Sequence, residues 1–203
     1  MRIQAHMIEG LLSLGSDVLP VIFTDDPYYL DLCQTFPSIR CISQFSTNKY
    51  GLPYIRSFMA SLDSIPGVRC VYQGYVNGDI LLHPNLLTVL SLLRSQPTLH
   101  SKQLVISRRT NFPWINITSL PKSQPAYSRL LQHICASDAP YMSNAVDLFV
   151  YTPGTFDYRT MKGIVVGRTA IDGYLISYAR DPLHGEIDVM DVTESGRVVM
   201  RVV

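Results

Sequence analysis

The fold of this chain is indicated most clearly by residues 75–82, which read YVNGDILL. A hydrophobic run, predicted as a strand over residues 68–76, leads into Asn77 and Asp79, and a second short apolar run follows. Two oxygen-bearing side chains at i and i+2 of an extended segment can point the same way, with Gly78 allowing close approach. Such oxygen ligands suit Mg²⁺ or Mn²⁺ bridging a diphosphate. An Asn-Gly hairpin turn explains the same segment equally well.

Short β-rich runs alternate with amphipathic helical runs on both sides of this segment. Strands are predicted over residues 18–24, 39–43, 80–82, 103–107, 145–151, 163–166 and 186–192, and helices near the N-terminus, after Pro27, Pro53 and Pro84, and over 126–136 and 168–180. This alternation predicts βαβ units and a mainly parallel sheet in an α/β fold. Because ligands of such sheets bind beyond the carboxyl ends of the strands, motifs at those ends are the best candidates for function.

Composition excludes several classes of protein. The chain has 203 residues, 47% of them hydrophobic and 16% charged, with 17 basic against 16 acidic side chains. Disorder and nucleic-acid binding are therefore not expected. No apolar run approaches the ~20 residues that cross a bilayer. His6 and Glu9 interrupt the N-terminal stretch, which does not read as a signal peptide, so a cytoplasmic location without a membrane span is expected.

Four cysteines show no metal-ligand spacing. Cys33 and Cys41 could form a bridge, although buried free thiols are the usual state in a cytosolic α/β core. The five histidines do not cluster, and no zinc site is inferred.

Three further segments offer candidate functional residues at or near strand ends. Arg108 and Arg109 end a predicted strand, where adjacent guanidinium groups could hold a phosphate or simply begin a solvated loop. Asp147 lies within the apolar run AVDLFVY, where a carboxylate must be paired or functional, a structural hydrogen bond being the default. In GRTAIDGYL (167–175), a glycine precedes a predicted helix, and Asp172 could accept a proton from an incoming hydroxyl or serve as a capping carboxylate.

Taken in chain order, a series of segments resembles the motifs of the GT-A-like nucleotide-diphospho-sugar transferase family. YVNGDILL resembles the family's Asn-x-Asp version of the Asp-x-Asp metal motif. The resemblance implies a three-layer αβα Rossmann-like GT-A fold, with residues 1–203 as a single domain. The other segments that carry it are TNKYGLPYIRSF (47–58), VISRRTNFPW (105–114), AVDLFVYTPGTF (145–156), KGIVVGRTAIDGYLISYAR (162–180) and EIDVMDVTE (186–194).

The resemblance also implies an activity and roles for particular residues. It implies a glycosyltransferase that moves a sugar from a nucleotide-diphosphate sugar to an unknown acceptor, with Mn²⁺ or Mg²⁺ as cofactor. Asp79 would hold the metal and diphosphate, with Asn77 beside it near the donor sugar. Asp172 would be the base, and Asp147 and Arg168 would line the acceptor side.

Two departures from the family pattern leave other functions open. The chain starts on the helix that follows the family's first strand, which indicates an N-terminally shortened version. Met200 and Arg201 stand near the position where the family tends to have a metal-binding His. A non-catalytic GT-A-like domain that binds glycan or protein is therefore the alternative. A nucleotidyltransferase ranks last, because Gly10 and Gly15 do not form the Gly-rich loop that such enzymes carry near the N-terminus.

Overall fold

Helices and strands alternate along the chain in the computed structural model, which describes residues 3–112, 119–135, 141–168, 171–195 and 199–202. The helices are α1 (Ile3–Leu12), α2 (Pro27–Thr35), α3 (Ile55–Asp63), α4 (Asn85–Arg94), α5 (Gln124–Cys135) and α6 (Ile171–Arg180), followed by a short 3-10 helix (Pro182–His184). The strands are β1 (Val21–Phe23), β2 (Arg40–Ile42), β3 (Gln73–Val76), β4 (Ile80–Leu82), β5 (Gln103–Phe112), β6 (Tyr141–Tyr151), β7 (Asp188–Asp191) and β8 (Val199–Val202).

The helix starts follow from local capping and periodicity. Asp26 caps α2, because its side chain accepts a hydrogen bond from the backbone N–H of Tyr28 at 2.9 Å and Pro27 occupies the first helical position. In α3, Ile55, Phe58 and Met59 recur at helical spacing and are buried. Both helices were predicted from these signals, with α3 beginning two residues after the proline at position 53.

The predicted strand over residues 163–166 is not a strand of the sheet. Its backbone instead holds the start of α3: the carbonyl of Ile164 accepts from the N–H of Ile55 at 3.0 Å, and the N–H of Val166 donates to Pro53 at 2.8 Å. Only an isolated bridge joins Val165 to Tyr54. The apolar side chains of this run are partly buried, but its backbone hydrogen bonds go to a helix start.

The sheet is mixed, and the expected predominance of parallel pairings is not seen. Strands β3, β6, β5, β8 and β4 form one sheet in that order, with β7 also pairing with β5, while β1 and β2 form a separate pair. Among the described strands, three pairings are parallel and three antiparallel, because β6 and β4 run against their neighbours. An alternation of strands and helices does not determine whether each strand runs parallel or antiparallel to its neighbour in the sheet.

Apolar side chains are buried on both faces of the β5–β6 pair. Leu104 and Phe149 pack on one face with α3 and α6, whereas Val105 and Leu148 pack on the other with α4 and α5. Successive residues of a strand point to opposite faces, so these near-continuous apolar runs need cover on both. Full burial of each such side chain is worth roughly 1.5–3 kcal/mol. The fold is therefore an α/β fold with the β5–β6 pair at its centre.

The cysteines differ from the expectation of buried free thiols. Cys33 of α2 and Cys41 of β2 form a disulfide, because the return from helix to strand brings their Cα atoms to 6.2 Å. Cys70 is free but exposed. Among the described helices, none is long and apolar enough to cross a membrane.

Candidate functional site

The segment Asn77-Gly78-Asp79 connects two strands that do not pair with each other. β3 pairs with β6, whereas β4 pairs with β8 at the other end of the strand order. The hairpin interpretation of this segment is therefore wrong, although the turn itself is present, since the N–H of Ile80 donates to the carbonyl of Asn77 at 3.3 Å. The polar side chains instead follow the end of β3, where they meet residues from β6.

Asp147 is the buried centre of the site. Its side chain is 7% exposed and accepts hydrogen bonds from Asn77 Nδ2 at 2.5 Å and from Arg109 Nη1 at 2.8 Å. A buried carboxylate is costly unless it is paired and hydrogen-bonded, and both conditions are met here. Val76 lies opposite Leu148 in the antiparallel pairing, so the next residue along β3 arrives beside Asp147.

Tyr75 links this pair to the other predicted acidic residues. Its hydroxyl donates to Asn77 Oδ1 at 3.0 Å. The pKa of Tyr75 is raised to about 12, chiefly by burial and additionally by the negative charges of Asp147, Asp172 and Asp79. Hydrogen bonds through Asn77 join Asp147 to this phenol, whereas Asp172 and Asp79 act on it electrostatically. The structure thus brings together residues from β3, the β3–β4 connection, β6 and the start of α6.

Sequence reasoning did not identify Tyr75. The signal available was its position two residues before Asn77, since residues i and i+2 of a strand share a face. A tyrosine in a β-rich run is usually part of the packing, and only the tertiary arrangement shows that its hydroxyl faces a polar cluster.

Arg108 and Arg109 do not act together. Arg108 Nη2 lies 3.1 Å from Asp191 Oδ2, in a pair that is partly exposed. Arg109 donates to Asp147 and, through Nε, to Asn111 Oδ1 at 3.1 Å. Neighbouring residues of a strand point to opposite sides, and a register shift in β5 follows Arg108. The two guanidinium groups are therefore not placed to hold one phosphate between them.

Asp172 lies in the first turn of α6, where a carboxylate interacts favourably with the helix dipole. Arg168 is exposed in the segment before this helix, close to Gly167, which has a positive φ of 81°. Residues 169–170 lie outside the described part of the chain. Asp172 acts electrostatically on Tyr75, whereas the role of Arg168 stays a prediction.

The donor atoms described for this cluster do not by themselves form a site for a divalent cation. Within the described ranges, no group of three or more His, Cys, Asp or Glu residues could hold a metal ion. Both oxygens of Asp147 are engaged, one of them by the cation of Arg109. A metal held by protein side chains alone does not fit the described residues. Asp79 stays a predicted ligand for a cation held mainly by substrate phosphates.

Met200 and Arg201, which stand near the expected position of the family's metal-binding His, lie in β8, and this strand pairs with β4. In the antiparallel pairing of β4 with β8, Ile80 is opposite Arg201 and Leu81 is opposite Met200. The backbone therefore places position 201 opposite the residue that follows Asp79.

Comparisons with known proteins leave the family open. No protein-family model matches the chain, and no curated protein matches it. A solved structure that is similar is the 4-diphosphocytidyl-2C-methyl-D-erythritol synthase of Anaerococcus prevotii, with 11% identity over 94% of this chain and 77% of that one, at a TM-score of 0.45. A likeness at this level carries no argument about what this chain binds.

Proposed function

We propose that this protein is a glycosyltransferase-like enzyme of three-layer αβα, GT-A-like architecture that transfers a sugar from a nucleotide-diphosphate sugar to a hydroxyl acceptor. The observation that supports the proposal best is the hydrogen-bonded cluster of Tyr75, Asn77 and Asp147, with Asp79 and Asp172 within electrostatic range of the Tyr75 hydroxyl. These residues come from the segments that resemble successive motifs of that family. Their meeting in one cluster is what a shared substrate site requires.

The donor side of the proposed site is held rigidly. The amide of Asn77 is hydrogen-bonded at both ends, since its oxygen accepts from Tyr75 and its nitrogen donates to Asp147. Arg109 fixes the other oxygen of Asp147. A group held by such supporting contacts keeps its orientation when substrate binds. Asn77 would therefore orient the donor sugar, while Asp79 would lie beside the diphosphate, where a cation would neutralise negative charge.

Asp172 is the proposed base. Its carboxylate would take the proton from the acceptor hydroxyl as the hydroxyl oxygen bonds to the anomeric carbon, and the bond from that carbon to the diphosphate oxygen would break. The nucleoside diphosphate leaves with the electron pair of that bond. A positioned base of this kind contributes about 10²–10⁴ in rate. Arg168 and Asp147 are proposed on the acceptor side.

The test combines binding and turnover with a panel of UDP- and GDP-sugars. A donor at 100 times its Kd stabilises the folded state by about 2.7 kcal/mol, which raises Tm by about 5–10 °C in a chain of this size. Asp79→Ala is expected to abolish this shift.

Asp172→Asn is expected to keep it while lowering the transfer rate about 10²–10⁴-fold. Asp31→Asn, on an exposed position of α2, is the matched control. Absence of a shift with every nucleotide sugar would overturn the proposal.

A non-catalytic domain that binds glycan or protein is the second candidate. It is favoured by the pairing of both Asp147 oxygens within the protein and by the lack of a metal-binding group among the described residues. It predicts glycan binding that Asp79→Ala leaves unchanged, with no turnover of any donor.

A further inference from the structure

An open cavity of about 950 Å³ lies between β2 and one face of α3, and it is not lined by the residues of the proposed transferase site. Its lining comes from β2, from the polar segment after it, from α3, and from the loop that follows β6. Cavities that bind small molecules have volumes of about 300–1,000 Å³. This one is large enough to hold a ligand the size of a phosphorylated sugar or aromatic ring.

The charge of this cavity is one-sided. Arg40, Arg56 and Arg159 line it, whereas no acidic residue lies among its described lining residues. The whole chain has a formal net charge of only +1, so the positive charge is concentrated locally. The carboxylate of Asp63 lies at the edge of the cavity, because it accepts hydrogen bonds from Gln73 and from the lining residue Tyr158, and it offsets one of the three positive charges. The cavity therefore attracts anions.

The side chain of Arg56 is held in place by the surrounding fold, and the backbone that carries Arg159 is fixed in a turn. Arg56 Nη1 donates to the carbonyl of Met161 at 3.2 Å, and its guanidinium carbon lies 5.3 Å from the centre of the Tyr54 ring. The backbone N–H of Arg159 donates to Asp157 Oδ1 at 3.1 Å, which fixes the turn that carries it. A guanidinium group has five N–H donors, so one bond to Met161 leaves a planar set for a ligand.

The wall formed by α3 is made of small residues. The hydroxyls of Ser61 and Ser64 donate to backbone carbonyls one turn earlier in the helix, at 2.9 and 3.0 Å. Ser57 Oγ accepts from the backbone N–H of Ser46 at 2.8 Å. Because these side chains fold back onto the backbone, they leave open space beside the helix. Ile65 and Pro66 add an apolar surface at its end.

We propose that this cavity binds a small organic phosphate monoester. The phosphate would be held by the guanidinium groups of Arg56 and Arg159, with Arg40 adding charge at the side of β2. Arginine suits this role because its planar fork of donors matches two phosphate oxygens. The apolar body of the ligand would lie against the small residues of α3. This site is independent of the proposed sugar transfer.

The experiment titrates phenyl phosphate into the ¹⁵N-labelled protein and follows the backbone amide shifts. Phenyl phosphate carries both a phosphate and a flat apolar body, and it contains no nucleotide that the transferase site would recognise. Saturable shifts are expected over residues 40–46 and 56–66. Phenol is expected to give none, and inorganic phosphate to bind more weakly. Arg56→Gln and Arg159→Gln are each expected to raise Kd about tenfold, the loss typical of one charge-assisted hydrogen bond.

The control is Arg129→Gln, which removes an exposed positive charge on α5 outside the cavity and is expected to leave Kd unchanged. Arg159 is exposed, so its variant tests the proposal even where Arg56→Gln disturbs the contact with Met161. Equal weakening by the control, or shifts centred on residues 75–80 instead, would overturn the proposal. Asp79→Ala is expected to bind phenyl phosphate normally, which separates this test from that of the transferase.

Discussion

Replacing Arg109 by glutamine is expected to destabilise the fold by about 3 kcal/mol. The side chains of Arg109 and Asp147 are 17% and 7% exposed and meet at 2.8 Å. Removing one partner of a buried pair costs about 3–5 kcal/mol, because the other charge is left without compensation. Asn77 still donates to Asp147 in the variant, which places the cost near the lower end of that range. For a chain of about 200 residues this corresponds to a fall in Tm of about 6–12 °C.

The measurement is urea unfolding followed by circular dichroism, with Arg108→Gln as the matched control. Arg108 pairs with Asp191, but the two side chains are 42% and 37% exposed, and such surface pairs are worth only about 0–1 kcal/mol. The two variants remove the same charge from adjacent positions of one strand. Their difference therefore measures burial rather than net charge.

A double replacement tests the physical cause. In Arg109→Met with Asp147→Leu, both charges are absent, and apolar replacement of a whole buried pair is often neutral or stabilising. We expect the double variant to be more stable than Arg109→Met alone, with a coupling in the range of about 0.5–3 kcal/mol. The reasoning is refuted if Arg109→Gln costs no more than Arg108→Gln.

Two further predictions concern packing and pH. Gly10→Ala is expected to cost about 1–3 kcal/mol in urea unfolding, since the new Cβ would lie 2.8 Å from the hydroxyl oxygen of Tyr127. Gly173→Ala, with no atom within 4 Å of the new Cβ, should be neutral or stabilising by up to about 1 kcal/mol, and a similar loss in both variants would contradict this. The pKa of Tyr75 is raised by burial to about 12, so the folded state holds this proton more tightly than the unfolded chain. This contribution to the free energy of unfolding is fully present below pH 10.0 and is lost as pH rises to about 12. The free energy of unfolding of Tyr75→Phe should therefore fall by about 3 kcal/mol less than that of the original protein over this pH range. Denaturant titrations across the range measure the difference.

Several features of the site were predictable from short stretches of sequence. A carboxylate in the apolar run around Asp147 had to have a partner, and it has two. Asp172 was expected in the first turn or two of a helix predicted from residue 168, and α6 begins one residue before it. Asp26 and Pro27 together marked the start of α2. Each of these inferences depends on residues a few positions apart, because desolvation and capping act locally.

Other features depended on the path of the chain. The sequence around Arg108 and Arg109 does not show whether the two side chains bind one phosphate together or form two separate ion pairs. In the structure, the pleat of β5 directs them to different carboxylates. The free-thiol expectation failed for Cys33 because the distance between α2 and β2 decides whether a bridge can form. The direction of β6 was likewise undetermined by the alternation of strands and helices.

The sequence by itself determined the α/β class, most helix starts, and which polar groups would be buried and so would need a hydrogen-bond or charge partner. Only the tertiary structure decided what that contact is: Asp147 with Asn77 and Arg109, and Tyr75 among three carboxylates. The physical reason is the range of the interactions. Periodicity and capping involve neighbours along one element, whereas the partner of a buried charge comes from a distant segment that sheet register brings alongside.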